Sequence, residues 1–366
     1  MERKINQVRP HGGVDIDPTV DTLVWTQSVV PAGWETANTW SLVAFKDKIF
    51  ICPYLFSADY GVLGNSVGWG MVSSDGGETF VASNLPARTQ RNGLRFYYDE
   101  VAGVIRTELP DKSRLKSTDG LDWVADDIVY TLDGEVHDDM IDIYSSGNGL
   151  YLHLAYGYEL PPPKIYDSIN GRDWFSQKPL PVIKDKPSDF CDIYTPVWVE
   201  GMHKWVSSYY LVDETWSDMR GSGYISSADG KNWDFHTIFN HGDDIRSTYC
   251  NVPEGYPLLV PIYSNSSSAA SCLQTFDLEN FTPSGFNTVE GDYTSYPVCL
   301  PIGWWQSTAK GAYSIANDSR GFFTFGQLPF AAGASGTNWE NNFVHQVGKK
   351  IFVAAFKGNF FHADLY

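Results

Sequence analysis

The chain of 366 residues contains no apolar run of the length, about 18 residues or more, that a membrane-spanning helix requires. Its first residues, Met1-Glu2-Arg3-Lys4-Ile5-Asn6, lack the apolar core of a secretory signal. Cysteine is scarce. Cys52, Cys191, Cys250, Cys272 and Cys299 follow neither a disulfide framework nor a zinc spacing. Most lie in apolar, strand-like contexts, which suits buried free thiols and assembly in a reducing cytosol. Positive charge is also in deficit, with 26 Lys and Arg against 44 Asp and Glu and a net charge of −18. Free nucleic acid and anionic membranes are therefore expected to be repelled, and no sequence-specific nucleic-acid binding or membrane insertion is expected. No segment shows sustained helical periodicity, so a helical fold is excluded as well.

Aromatic residues are abundant, at 15%. They sit in short apolar runs bounded by turn residues, such as Trp40-Ser41-Leu42-Val43-Ala44-Phe45 and Ile49-Phe50-Ile51-Cys52, which reads as strand, turn, strand. Four stretches repeat one turn chemistry. They are Ser73-Ser74-Asp75-Gly76-Gly77-Glu78-Thr79-Phe80, Ser117-Thr118-Asp119-Gly120-Leu121-Asp122-Trp123, Ser168-Ile169-Asn170-Gly171-Arg172-Asp173-Trp174 and Ser227-Ala228-Asp229-Gly230-Lys231-Asn232-Trp233. The Asp or Asn side chain accepts hydrogen bonds from backbone N–H groups further along the turn. Gly supplies the positive φ of a tight connection, and the Ser hydroxyl adds a second local bond. The trailing Phe80, Trp123, Trp174 or Trp233 opens the next strand and packs between sheets.

These four copies resemble the Asp-box, or bacterial neuraminidase repeat, of sialidase-like β-propellers. The resemblance spans most of the chain as a pattern, and it implies a structural role for the boxes, remote from any active face. Successive Asp or Asn positions lie 44, 51 and 59 residues apart, close to one four-stranded blade of roughly 40–50 residues each. Thr275-Phe276-Asp277-Leu278-Glu279-Asn280-Phe281 is a weaker copy without Gly, and Ser314 to Phe322 is a looser one. The expected fold is all-β: a propeller of seven four-stranded antiparallel blades, with six as the alternative. An N-terminal strand near Thr22 to Val30 is expected to complete the C-terminal blade that ends in Phe360-Phe361-His362-Ala363-Asp364-Leu365, because an open ring leaves unpaired sheet edges. Residues 1–21 read as a polar arm and residues 22–366 as a single propeller domain.

In such a blade, the loops from an outer strand to the next inner strand gather at one channel mouth. They are expected to bring together Trp34, Glu35, Arg91, His137, Asp138, Asp139, Asp192, Asp243, Arg246, Asp292, Tyr293 and Trp339. Paired carboxylates among Asp138, Asp192 and Asp243 would suit a glycosidase. Aromatic faces such as Trp34, Tyr293 and Trp339 would suit stacking on sugar rings. His137 with Asp138 and Asp139 has no specific metal spacing, and neither metal nor cofactor is expected. The sialidase family grips its substrate carboxylate with three arginines, the first within a Phe/Tyr-Arg-Ile-Pro motif. That tetrapeptide is absent here. Leu94-Arg95-Phe96 and Val104-Ile105-Arg106-Thr107 do not fit it, so the resemblance carries the fold and not the catalytic machinery.

The function expected from the sequence is a non-enzymatic structural or interaction propeller. The setting is a bacteriophage virion tail assembled in the host cytoplasm, since phages often encode such propellers. Its partners would be other tail subunits, a further copy of itself, or a host surface glycan. The alternatives are a glycoside hydrolase with its site at the acidic mouth, and a single-site lectin.

Overall fold

A computed structural model describes residues 23–34, 38–54, 70–85, 96–109, 112–138, 144–155, 164–177, 190–194, 196–212, 219–240, 243–245, 252, 254–264, 270–287, 298–300, 303–307, 312–316, 324–329, 343–355 and 359–365. Among the described residues the secondary structure is entirely strands and turns, apart from one 3-10 turn at Glu200–Met202. No helix of the described residues is long and apolar enough to cross a membrane. The chain divides into two compact units, one of Asp21–Asp142, Ser307–Tyr313 and Gly326–Tyr366, the other of Met1–Val20, Ile143–Gln306 and Ser314–Phe325.

The strands in chain order begin with β1 (Thr26–Gln27), β2 (Asn38–Phe45), β3 (Lys48–Tyr54), β4 (Met71–Ser73), β5 (Val81–Ala82), β6 (Phe96–Asp99), β7 (Val104–Glu108), β8 (Arg114–Ser117), β9 (Val124–Ala125), β10 (Tyr130–Leu132) and β11 (Glu135–His137). Next come β12 (Tyr144–Gly147), β13 (Leu150–Ala155), β14 (Lys164–Ser168), β15 (Asp173–Ser176), β16 (Phe190–Ile193), β17 (Val197–Val199), β18 (Lys204–Val212), β19 (Met219–Ser227), β20 (Asp234–Asn240), β21 (Asp243–Ile245), β22 (Leu258–Ser264), β23 (Ala270–Thr275) and β24 (Thr282–Asn287). The series ends with β25 (Val298–Leu300), β26 (Gly303–Ser307), β27 (Ala312–Ala316), β28 (Thr324–Gln327), β29 (Phe343–Val347), β30 (Lys350–Ala355) and β31 (Asn359–Asp364).

The sheets are antiparallel meanders, the topology of propeller blades. Five have the expected four strands, in the orders β2-β3-β4-β5, β6-β7-β8-β9, β21-β22-β23-β24, β25-β26-β27-β28 and β1-β31-β30-β29. Among the described residues, therefore, five four-stranded blades stand where seven, or six, were expected. Two further sheets have six and five strands. The five-stranded sheet arises because β16 and β17 both pair with β18, facing Tyr209 to Val212 and Lys204 to Val206 respectively. Pro196 interrupts what would be one continuous strand, since proline has no N–H to give to the ladder. The gap is bridged by Tyr194 N–H donating to Ser208 O at 3.0 Å. The hairpin of β10 and β11 also lies outside the four-strand pattern.

The N-terminal strand lies where the sequence places it. Thr26 pairs with His362 and Gln27 with Phe361, and Ser28 N–H donates to Phe360 O at 2.9 Å. One residue on, Val29 N–H donates to Glu78 O and Phe80 N–H donates to Val29 O, both at 2.8 Å. One short segment thus joins the last sheet to the turn of the β2–β5 sheet. Leu23 and Ser28 are buried, while Val24 and Val29 stay exposed.

Packing between sheets is aromatic. Phe50 lies 4.8 Å from Phe96 and 5.5 Å from Trp123 between ring centroids. Such pairs add about 0.5–1.5 kcal/mol each beyond simple burial. Within one sheet of the other unit, the cross-strand partners Trp198 and Trp205 also meet edge-on, at 5.7 Å. Cys52 is buried, and burial pushes its thiol well above the ordinary range, so it is not a reactive thiolate.

Candidate functional site

The repeated turns have the local chemistry read from the sequence. Ser117 Oγ donates to Asp119 Oδ1 at 3.0 Å and accepts from Gly120 N–H at 2.8 Å. Asp119 Oδ1 in turn accepts from Leu121 and Asp122 N–H at 2.9 and 3.0 Å. Asn170 accepts from Arg172 and Asp173 N–H, and Asp229 from Lys231 and Asn232 N–H, in the same way. The first copy carries one extra residue, so Ser73 Oγ accepts from Gly77 N–H and Asp75 accepts from Thr79. The degenerate copy keeps the pattern entire: Leu278 N–H donates to Thr275 Oγ1 at 2.9 Å, and Asp277 accepts from Glu279 and Asn280. Leu278 occupies the glycine position at φ +64°.

These bonds hold the turn carboxylates charged. The N–H groups of Asn232 and Lys231 hold Asp229 far below the usual carboxylate range, and those of Asn280 and Glu279, with the Asn280 amide, do the same for Asp277. At Asp75 burial pulls upward, but the bonds from Thr79 and Ser73 outweigh it. Such carboxylates are anchors and not proton carriers.

A second feature of the turns was not read from the sequence. Three of them are held by residues just beyond the last strand of the preceding sheet. Ser83 Oγ donates to Gly120 O and accepts from Trp123 Nε1, both at 2.8 Å. Asn84 Oδ1 accepts from Trp123 N–H at 3.1 Å, and Asn84 Nδ2 donates to Asp122 at 2.8 Å. In the other unit Gln177 Nε2 donates to Gly230 O, and Gln177 Oε1 accepts from Trp233 Nε1 at 3.1 Å. Val29 plays this part through its backbone. The only sequence signal is a polar residue three or four positions beyond each box aromatic, too common to single out.

Of the expected mouth residues, few fall where their side chains are described. Trp34 is fully buried, packed with Ile49, Ile51, Met71, Phe80, Phe352 and Phe360. It offers no face to a sugar, which corrects that expectation: the turn Pro31 to Trp34 folds the indole inward, with Trp34 N–H donating to Pro31 O at 3.1 Å. His137 ends β11 half-buried, and Asp138 follows it exposed. Asp192 lies on β16 and Asp243 on β21. Glu35, Arg91, Asp139, Arg246, Asp292, Tyr293 and Trp339 lie outside the described residues. Among the described residues no group of His, Cys, Asp or Glu is arranged to hold a metal ion.

The densest charge cluster supports the β10–β11 hairpin. Arg106 on β7 is buried, bonded through Nη1 to Asp126 and through Nε to Asp99 at 3.1 Å. Burial opposes its charge, but Asp126 more than compensates and raises its pKa. Lys116 reaches Asp126 at 3.2 Å and Asp127 at 3.4 Å. The Tyr97 and Tyr130 hydroxyls bond to each other in the same core, and burial raises the Tyr130 pKa. Arg114 donates to Glu108 at 3.2 Å, to Ile128 O at 3.0 Å and to Asp138 O, and its guanidinium lies 5.5 Å from the Tyr130 ring centre. Neither guanidinium presents an open fork to a substrate carboxylate. A charged residue inside an apolar strand, Val104-Ile105-Arg106, was the sequence signal for such a buried pair.

No protein-family model matches the chain, and no curated protein matches it in sequence. Similarity to solved structures is to propellers. The Dos1 propeller aligns with a TM-score of 0.50 at 8% identity, covering 90% of this chain and 94% of that one. That likeness shows the fold. YCF48 from Cyanidioschyzon merolae aligns at 0.47 and 13% identity over 93% and 98% of the two chains. An exo-beta-1,3-galactanase from Phanerochaete chrysosporium aligns at 0.37 and 9% identity over 60% and 58%.

Proposed function

We propose that this chain is a non-catalytic β-propeller that serves as an interaction module for a partner protein. The observation that carries this reading is the internal use of its best-placed ionisable groups. Arg106 and Arg114 are spent on Asp99, Asp126, Glu108 and backbone carbonyls, and the turn carboxylates on backbone N–H groups. A site that binds or cleaves an acidic sugar needs such groups open to the ligand. Kinship with sialidase-like repeat propellers belongs to this reading, supported by the shared turn chemistry. So does the single domain over residues 22–366. A virion tail is one assembly that such a module would serve.

The test is direct. The full chain is incubated with sialyl and neutral aryl glycosides, and chromophore release is compared with that of the Asp138→Asn, Asp192→Asn and Asp243→Asn variants. Release at the buffer rate for all four proteins is expected. Turnover that one of these substitutions abolishes makes the chain a glycoside hydrolase.

A further inference from the structure

We infer that the outward face of the β10–β11 hairpin is a docking surface for an extended, lysine- or arginine-bearing segment of a partner protein, added alongside β11. The inference rests on the non-catalytic reading above and names the surface and the partner chemistry.

The hairpin is extra to the four-strand pattern, and among the described residues β11 hydrogen-bonds to β10 alone. Its two faces differ sharply. Thr131 stands opposite Val136, and Tyr130 opposite His137. Side chains alternate across a strand, so Val129, Thr131, Val136 and Asp138 share one face, while Ile128, Tyr130 and His137 share the other. The second face is buried at Ile128 and Tyr130. The first is open, with Val129 54% and Val136 68% exposed. Isolated exposed valines are ordinary, but here two lie on one face beside an edge strand.

The surroundings of this face set the chemistry of its occupant. Asp127 lies fully exposed at one end with Asp138, and Asp133 and Glu135 are exposed at the turn. Lys116 lies 3.4 Å from Asp127. An apolar centre inside an acidic rim is complementary to a strand carrying apolar residues between cations. The backbone N–H and C=O groups along the open edge of β11 supply the ladder for strand addition. Rigidity supports the same conclusion. Arg114 ties Ile128 O and Asp138 O to Glu108, so both ends of the hairpin are fixed to β7 and β8 before any partner arrives.

The probe is a fluorescein-labelled peptide, acetyl-Lys-Val-Lys-Val-Lys-Val-amide, titrated into the full chain at low salt, with the Glu-Val analogue as control. The expected result is an anisotropy rise for the lysine peptide alone, weakening as salt is added. Hydrogen exchange at the amides of Glu135 to His137 should slow on binding. Val136→Lys should weaken binding about tenfold or more, equivalent to about 1.4 kcal/mol, and Asp138→Asn by a smaller factor. The exposed Asp234→Asn, in the other unit, should leave it unchanged. Equal binding of both peptides, equal binding to Val136→Lys, or no binding to the unsubstituted chain overturns the inference. Those outcomes leave the non-catalytic reading standing, whereas glycoside turnover by the same preparation removes that reading instead.

Discussion

Alanine placed at the turn glycines separates two physical effects that the four turns combine differently. Gly76, Gly120, Gly171 and Gly230 all sit at φ between +69° and +79°. An L-residue there costs roughly 1–2 kcal/mol from its own backbone. Surroundings then divide the four. A Cβ on Gly171 meets nothing within 4 Å. On Gly76 it meets Lys350 at Cδ, 2.8 Å, and at Cβ, 2.9 Å; the outer side chain can swing aside, but Cβ is fixed to β30 and must shift with its backbone. On Gly120 it falls 2.8 Å from Val72 Cγ2 and 3.1 Å from Phe45 Cζ, and on Gly230 it falls 2.6 Å from Leu150 Cδ2 and 3.2 Å from Trp205 Nε1. Val72, Phe45 and Trp205 are buried, so overpacking adds about 1–3 kcal/mol at those two sites. The expected order of destabilisation is Gly171→Ala, at about 1 kcal/mol, then Gly76→Ala, then Gly120→Ala and Gly230→Ala at about 2–4 kcal/mol. Urea denaturation of the full chain, followed by tryptophan fluorescence, ranks them by midpoint. Gly171→Ala costing as much as Gly230→Ala would refute the claim that the turns pack against neighbouring side chains at some positions and stand clear at others.

Further expectations follow from single residues. Leu278→Gly relieves about 1 kcal/mol of left-handed backbone strain but removes a buried leucine worth about 2–5 kcal/mol, so it should destabilise in the same denaturation assay. Arg106→Met leaves Asp99 and Asp126 without their shared guanidinium and should cost about 3–5 kcal/mol, again read from the urea midpoint. His345 is held by burial at a pKa of about 4 against 6.5. Its neutral form is the one the fold accommodates, so its contribution is complete above pH 6.5 and is lost as pH falls through 4, about 3 kcal/mol in all. His345→Leu should flatten stability between those pH values in thermal melts.

The fold was legible because its punctuation is local. The bonds made by Asp119, Asn170 and Asp229 involve residues two or three positions away, and such chemistry survives in sequence. Even Leu278, which breaks the motif, keeps the bond its glycine counterparts make. The pairing of Thr26 with His362 was legible for a topological reason, since a meander that ends without an outer strand needs one from elsewhere. Sheet size was not legible. Pro196 splits one strand into β16 and β17, and β10 and β11 add an unscheduled hairpin; both are decided by pairing across distance. Trp34 shows why the site was harder still. In sequence it is an aromatic beside polar residues, as a sugar platform would be, yet its indole fills the core with Phe80 and Phe360. The contacts of Ser83 and Gln177 with the next turn span 37 and 53 residues, and no local pattern announces them.

Where a turn is fastened by a residue just beyond the preceding sheet, as the Trp123 turn is by Ser83, the two residues must be energetically coupled through their 2.8 Å bond. A double-mutant cycle of Ser83→Ala and Trp123→Phe on unfolding free energy is expected to give a coupling of about 0.5–1.5 kcal/mol. Additive effects, with no coupling, would contradict it.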